Sequence, residues 1–460
     1  MGLFGIILSL LLLMYLAYRG INVLILAPIL SLLAVLLSGN IPVLATYTQV
    51  FMKALGNYLI TYFPLFMLGA IFGKLMADSG SARAIAEWCV RKLGAHNAVV
   101  AIVLSCAILT YGGVSLFVVA FAVYPIAAAL FRRSDIPKRF IPAAIALGSF
   151  TFTMTALPGT PAIQNAIPMP YFGTTPFAAP VFGTFAALIM FFGGVYWLRF
   201  RIARSGARGE GYGTHPRVSA DSDLAQDASL PSFAVAIAPT VLVIVLNAVL
   251  TYLIIPNLDT SYLAEARYGE TDVTKVRGIW AIIVALVASI LLLIVLNRSR
   301  LQHLKDSINT GTMGSLLPVF NTSSEVGYGA VIASLPAFAV VRDAVLNVSS
   351  NPLISVAVAT NVLAGITGSA SGGMSIALQT LGEQFNQLAI ENGISPGLMH
   401  RVTALSSGGF DALPHNGAVI TLLAICGLTH RESYFDIFIC AVLIPVFATI
   451  CVIILGSMVF

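Results

Sequence analysis

The chain has 460 residues, of which 9% are charged (24 Lys or Arg against 19 Asp or Glu), 58% are hydrophobic, and mean hydropathy is +0.93. A soluble domain carries about 25% charge, so this composition excludes a soluble enzyme and a disordered chain and marks an all-α polytopic membrane protein in a lipid bilayer. The net charge of +5 comes without a basic cluster interleaved with aromatics, which argues against a nucleic-acid partner, and the five cysteines have no metal-ligand spacing.

In chain order, runs long enough to cross the hydrocarbon fall at about 3–18, 22–38, 59–77, 175–198, 232–256, 277–297, 310–334 and 434–457. The first lacks a cationic leader and a small-residue cleavage site, so it reads as a retained span with its N-terminus outside. The mixed stretch 41–58 suits the membrane interface. Residues 97–131 are flanked on both sides by basic residues (Arg91 and Lys92; Arg132, Arg133, Lys138 and Arg139), so both ends are expected on one, cytoplasmic, side. Its 35 residues are short for two crossings, and Gly112 and Gly113 sit mid-way, which predicts a re-entrant helical hairpin. The polar interval 199–231, with five arginines and then Asp221, Asp223 and Asp227, reads as a cytoplasmic linker between a repeat at 1–198 and another at 232–460. The charges at 257–276 fit an outside loop, which would place both termini outside.

One offset of 256 superposes the unusual residues of the two halves: Gly112 on Gly368, Ser115 on Ser371, Pro158 on Pro414, and Gly73 on Gly329. Sidedness makes the halves inverted, so a second hairpin at 352–382, with Gly368 and Gly372 at its tip, is expected to enter from the opposite face. The fold expected is two inverted-topology repeats, each with a re-entrant hairpin and a broken transmembrane helix. Such repeats belong to secondary transporters with a midplane site.

The breaks centre on Pro158 and Pro414. Proline and glycine in an apolar run free backbone groups that the bilayer tolerates only where they are buried or line a wet cavity, and restarting helix ends favour an anion. The candidate substrate wall is therefore Ser115, Thr155, Gly159, Thr160, Gln164 and Asn165 from the first half, and Ser369, Ser371, Asp411, His415 and Asn416 from the second. Glu325, Asp411 and His415 are ionisable groups within spans and are candidates for proton coupling. No Arg or Lys is expected at mid-span, Lys74 lying near a helix end, so neutral donors and helix ends would hold the anion. Intramembrane proteases would want Gly-x-Ser-Gly or Gly-x-Gly-Asp; Ser369-Ala370-Ser371-Gly372 and Gly408-Gly409-Phe410-Asp411 each miss by a residue, and a passive channel fits broken inverted repeats less well than a carrier.

Phe72 to Gly80, Pro158 to Pro168 and Gly408 to His430 resemble the gluconate permease (GntP) family of the ion-transporter superfamily, and the likeness runs across nearly the whole chain. Around Pro158-Gly159-Thr160-Pro161 the wording is similar to the branch for short hydroxy acids such as 3-hydroxybutyrate, more than to the gluconate carriers. The resemblance implies uptake of a small organic anion by proton symport, without a cofactor, in a bacterial inner membrane, by a homodimer with a scaffold and a moving transport domain. Gluconate or another sugar acid, a D-serine-type substrate, and sodium as the coupling ion are the alternatives within transport.

Overall fold

The computed structural model describes residues 2–39, 41–214 and 230–459, which are helical with no strand among them. The offset of 256 read from the sequence reappears as matched helix ends. The long helix Leu304–Ser334 ends at the residue corresponding to Asp78, the end of Val43–Asp78. The first hairpin arms, Ala98–Tyr111 and Pro352–Thr367, also end at corresponding positions. Each half is completed by a second arm (Leu116–Arg133; Ala370–Glu391), a broken helix, and a terminal span (Pro180–Gly206; His430–Val459). Ahead of these stand Gly2–Tyr18 and Val23–Ser38 in the first half, Phe233–Asn257 and Val273–Leu296 in the second.

The two long helices pack antiparallel. Phe51 lies against Gly327 at one end and Ile71 against Gly311 at the other, where the Ser307 hydroxyl donates to Asp78 Oδ2 at 2.6 Å. Glycine at both crossings lets the helices approach until side chain meets backbone.

The inversion is visible along His430–Val459. Near its start, the Ser433 hydroxyl donates to the Arg139 carbonyl at the base of the first hairpin. Near its end, Ser457 Oγ accepts from Asn351 Nδ2 at 2.6 Å, at the base of the second. The 24 residue steps of helix from Ser433 to Ser457 span about 36 Å, so the hairpins enter from opposite ends. The basic end of Pro180–Gly206 gathers at the first base: Arg199 donates to Asn97 Oδ1 at 2.7 Å, and Arg201 pairs with the buried Asp436 at 3.0 Å.

Residues 43–58 continue into the following span as the first part of one 36-residue helix, Val43–Asp78. Tyr58 and Tyr62 are buried along it, whereas Thr48, Gln49, Lys53 and Asn57 are exposed. Two sequence expectations are corrected. The expected span 175–198 instead starts at Pro180 and runs on to Gly206, because Arg199, Arg201 and Arg204 remain helical and the first two find partners at its end. The linker consequently begins after 206; its Arg217, Asp221, Asp223 and Asp227 lie outside the described residues.

Candidate substrate site

Each hairpin tip sits over the break of its own half. In the first half Gly113, with φ +94, turns the chain between the arms, and its Cα faces the Pro161 ring. Gly368 (φ +65) does the same in the second half and lies against the His415 ring. Left-handed backbone of this kind disfavours any side chain.

The first break runs from Ser149 to Ile163, interrupted by the short turn Phe152–Thr155. Its freed carbonyls are taken by side chains from other elements, as buried backbone requires. The Tyr111 hydroxyl donates to the Pro158 carbonyl at 2.6 Å, and Asn247 Nδ2 to the Gly159 carbonyl at 3.2 Å. Asn165 Nδ2 donates to the carbonyls of Thr160 (3.0 Å) and Pro176 (2.8 Å). The second break follows Pro396–Ser407 and bends the chain by 55° before Gly417–Cys426. His430 Nε2 lies 2.9 Å from the Pro414 carbonyl, matching the role of Tyr111 at Pro158, and the Tyr434 hydroxyl donates to the Ala412 carbonyl at 3.1 Å. Asn416 Nδ2 reaches the Gly368 carbonyl at 2.8 Å, while its Oδ1 accepts from the amides of Ala418 and Val419 and caps the restarting helix. His415 Nε2 stands 2.8 Å from the Gly365 carbonyl.

The two halves meet at Thr155, whose side chain faces Gly408. A buried cation clasps this junction. Arg401, fully buried in Pro396–Ser407, donates from Nη1 to the Thr155 carbonyl at 3.1 Å and from Nε and Nη2 to the Ala178 carbonyl at 3.2 and 2.9 Å. Beside it, buried His400 lies 2.6 Å from Thr174 Oγ1 and 3.2 Å from Asn165 Oδ1. The expectation that no Arg or Lys lies at mid-span is therefore corrected: Arg401 stands in the middle of Pro396–Ser407. Arg401 stands in a run, Val402 to Ser407, of small, apolar and hydroxyl residues, and that neighbourhood was the signal that could have marked it. Its guanidinium is tolerated because carbonyl oxygens, the negative ends of peptide dipoles, surround it.

The sequence-predicted residues fall into two groups. Ser115, Ser369, Ser371, Asp411 and His415 are partly accessible, at or beside the tips and the second break. Thr155, Thr160, Asn165 and Asn416 are buried, with side chains engaged inside the breaks; Gly159 is buried against Phe177. Gln164 is also buried, and its Oε1 has no hydrogen-bond partner among the described residues. Glu325 lies apart from the breaks, on Leu304–Ser334 against the second tip. The residues that sequence reasoning missed are Arg401, His400, Tyr111, Asn247, His430 and Tyr434, which hold the breaks in shape.

Comparison with known proteins agrees with this architecture. The chain is 46% identical over 449 residues to the transporter YxjC of Bacillus subtilis, covering 95% of each, and 39% identical over 75 residues to a transporter of Haemophilus influenzae, covering 16% of this chain and 18% of that one. Its fold is similar to that of the YdaH transporter of Alcanivorax borkumensis, with a TM-score of 0.56 and 16% identity over 89% of this chain and 88% of that one. Residues 1–459 match the profile of the GntP family permease, and with that match the multi-pass membrane chain belongs to the GntP permease family.

Proposed function

We propose that this permease is a proton-coupled symporter that takes up a short hydroxy-monocarboxylate such as 3-hydroxybutyrate. One observation carries the reading: two hairpin tips that enter from opposite ends each cover a broken helix, and the breaks meet at Thr155 and Gly408. Such a junction can be opened to either side in turn, which is what alternating access requires. Ser115, Ser369, Ser371 and His415 are its partly accessible donors and acceptors, and Asp411 Oδ1 and Gln164 Oε1 are buried acceptors without a partner among the described residues. Arg401 is engaged with carbonyls, so the carboxylate would meet hydroxyls, imidazole and helix ends. Neutral donors of that kind suit a small monovalent anion better than a multiply charged one. In this reading the chain is a homodimer in the bacterial inner membrane with both termini outside, and Glu325, Asp411 and His415 are the groups able to carry the proton.

Uptake into proteoliposomes tests it. An imposed inward pH gradient is expected to drive accumulation of labelled 3-hydroxybutyrate above its external concentration, and a protonophore to abolish it. Accumulation driven by a sodium gradient alone would replace the proton with Na⁺ as the coupling ion. Competition by gluconate, stronger than by short hydroxy acids, would move the substrate to the sugar acids.

A further inference from the structure

The repeats differ at one contact that the inversion should make equivalent. In the first half, Gly69 and Gly73 of Val43–Asp78 lie against the first hairpin tip: a Cβ at Gly73 would touch the Ser115 amide at 3.4 Å, and one at Gly69 the Gly113 carbonyl at 4.0 Å. The same positions in Leu304–Ser334 are Glu325 and Gly329, against the second hairpin. Glycine in one half is therefore a carboxylate in the other. Glu325 is 3% exposed, and its Oε2 has no hydrogen-bond partner among the described residues. That oxygen lies directly over Gly372, where a Cβ would overlap it, in the first turn of Ala370–Glu391. Ser369 caps this turn by accepting from the Gly372 amide at 3.0 Å, and its hydroxyl also interacts with the carboxylate. Thr322 Oγ1 and Ser371 Oγ, 3.3 Å apart, join the same helix to the same tip.

We infer that Glu325 is the proton-sensitive latch between the long helix and the second hairpin, so that this hairpin, and not the first, is the element whose release is tied to the coupling proton. The inference rests on the symport reading above. An ionised carboxylate is held at the positive first turn of a helix by its dipole and by the Ser369 hydroxyl, and moving that charge along an apolar contact is costly. The protonated form carries no such penalty, so protonation frees the tip. Asp411 and His415 are less suited to act as the latch, because both lie in the break and not on the long helix, and His415 is engaged with the Gly365 carbonyl. Tyr58 of Val43–Asp78 is the titratable group facing Glu325, with Tyr171 beyond it and the Ser375 hydroxyl beside it. Lys53 on the same helix is exposed, and Gly2–Tyr18 and Val23–Ser38, which also pack nearby, carry no charged residue.

The test is Glu325→Gln in proteoliposomes, read by two assays. Substrate exchange without a gradient is expected to persist within about threefold of the wild-type rate, because the amide mimics the protonated latch. Accumulation under an imposed pH gradient is expected to fall to the external concentration. Accumulation at the wild-type level overturns the inference, and so does a parallel loss of exchange and accumulation in folded protein. Ser369→Ala supplies a second reading if the first variant does not fold: it keeps the carboxylate and is expected to displace the pH midpoint of uptake, and an unmoved midpoint overturns the inference. If the wild-type protein itself shows no proton-driven accumulation, the symport reading fails instead.

Discussion

Replacing Arg401 with Lys is expected to cut the transport rate about 10- to 100-fold, the range that follows when a site is misplaced by about 1 Å, while leaving the protein folded. The guanidinium holds two carbonyls at once, Thr155 at 3.1 Å within the first break and Ala178 at 2.9 and 3.2 Å in the loop before Pro180–Gly206. A lysine ammonium is a single point and cannot span both. Arg401→Met should affect transport at least as much, but its stability change is a difference of opposing terms. Each orphaned carbonyl costs about 1–3 kcal/mol, and removing a buried charge returns several kcal/mol. The melting temperature in detergent should therefore move little compared with uptake. Wild-type transport by Arg401→Lys would remove Arg401 from the machinery that aligns the two halves.

The second large effect separates two adjacent glycines. A Cβ at Gly373 would overlap Ala364 N and Cα, the backbone of the opposite arm of the second hairpin, where nothing flexible can yield. Gly373→Ala is expected to destabilise by at least the 1–3 kcal/mol typical of overpacking and to show a markedly lower melting temperature. A Cβ at Gly372 would instead meet the end of the Glu325 side chain, which can rotate away. Gly372→Ala should fold and fail in transport. Gly56, with no neighbour within 4 Å and a helical backbone, is the control: alanine there is expected to be neutral or stabilising by up to about 1 kcal/mol. Melting curves of the three purified variants give the order, and equal stability of Gly373→Ala and Gly56→Ala would contradict the packing of the hairpin.

Much of the architecture was legible because membrane insertion leaves few ways to write a helix. Apolar runs mark the spans, and glycine and proline, the residues that turn or break helices, keep the 256-residue register that the helix ends at Asp78 and Ser334, and at Tyr111 and Thr367, reproduce. The failures share a physical origin. Residues 41–58 read as separate from the span that follows because Tyr47, Gln49, Lys53 and Tyr58 are mixed with apolar neighbours; composition does not say that Tyr58 is buried or that one helix runs on to Asp78. Arg401 is missed because its stabilisation comes from the carbonyls of Thr155 and Ala178, more than 200 residues away in sequence. Thr160 and Asn165 are recognisable as break residues. The Thr160 hydroxyl accepts locally from the Ala162 amide, but the second hydrogen bond of Asn165 depends on where the loop at Pro176 returns, and no local pattern encodes that.

Side-specific thiol labelling reaches the central claim, that the two tips line one solute path opened alternately. Of the five free cysteines four are buried, and Cys451 is half-buried, so a background lacking all five is needed. Single cysteines introduced by Ser115→Cys and Ser371→Cys would then be exposed to a membrane-impermeant maleimide on each side of sealed vesicles. The expected result is that each reacts from one side at a time and that a saturating hydroxy acid slows both reactions. Simultaneous reaction from both sides, or rates indifferent to every candidate anion, would contradict a carrier built on these tips.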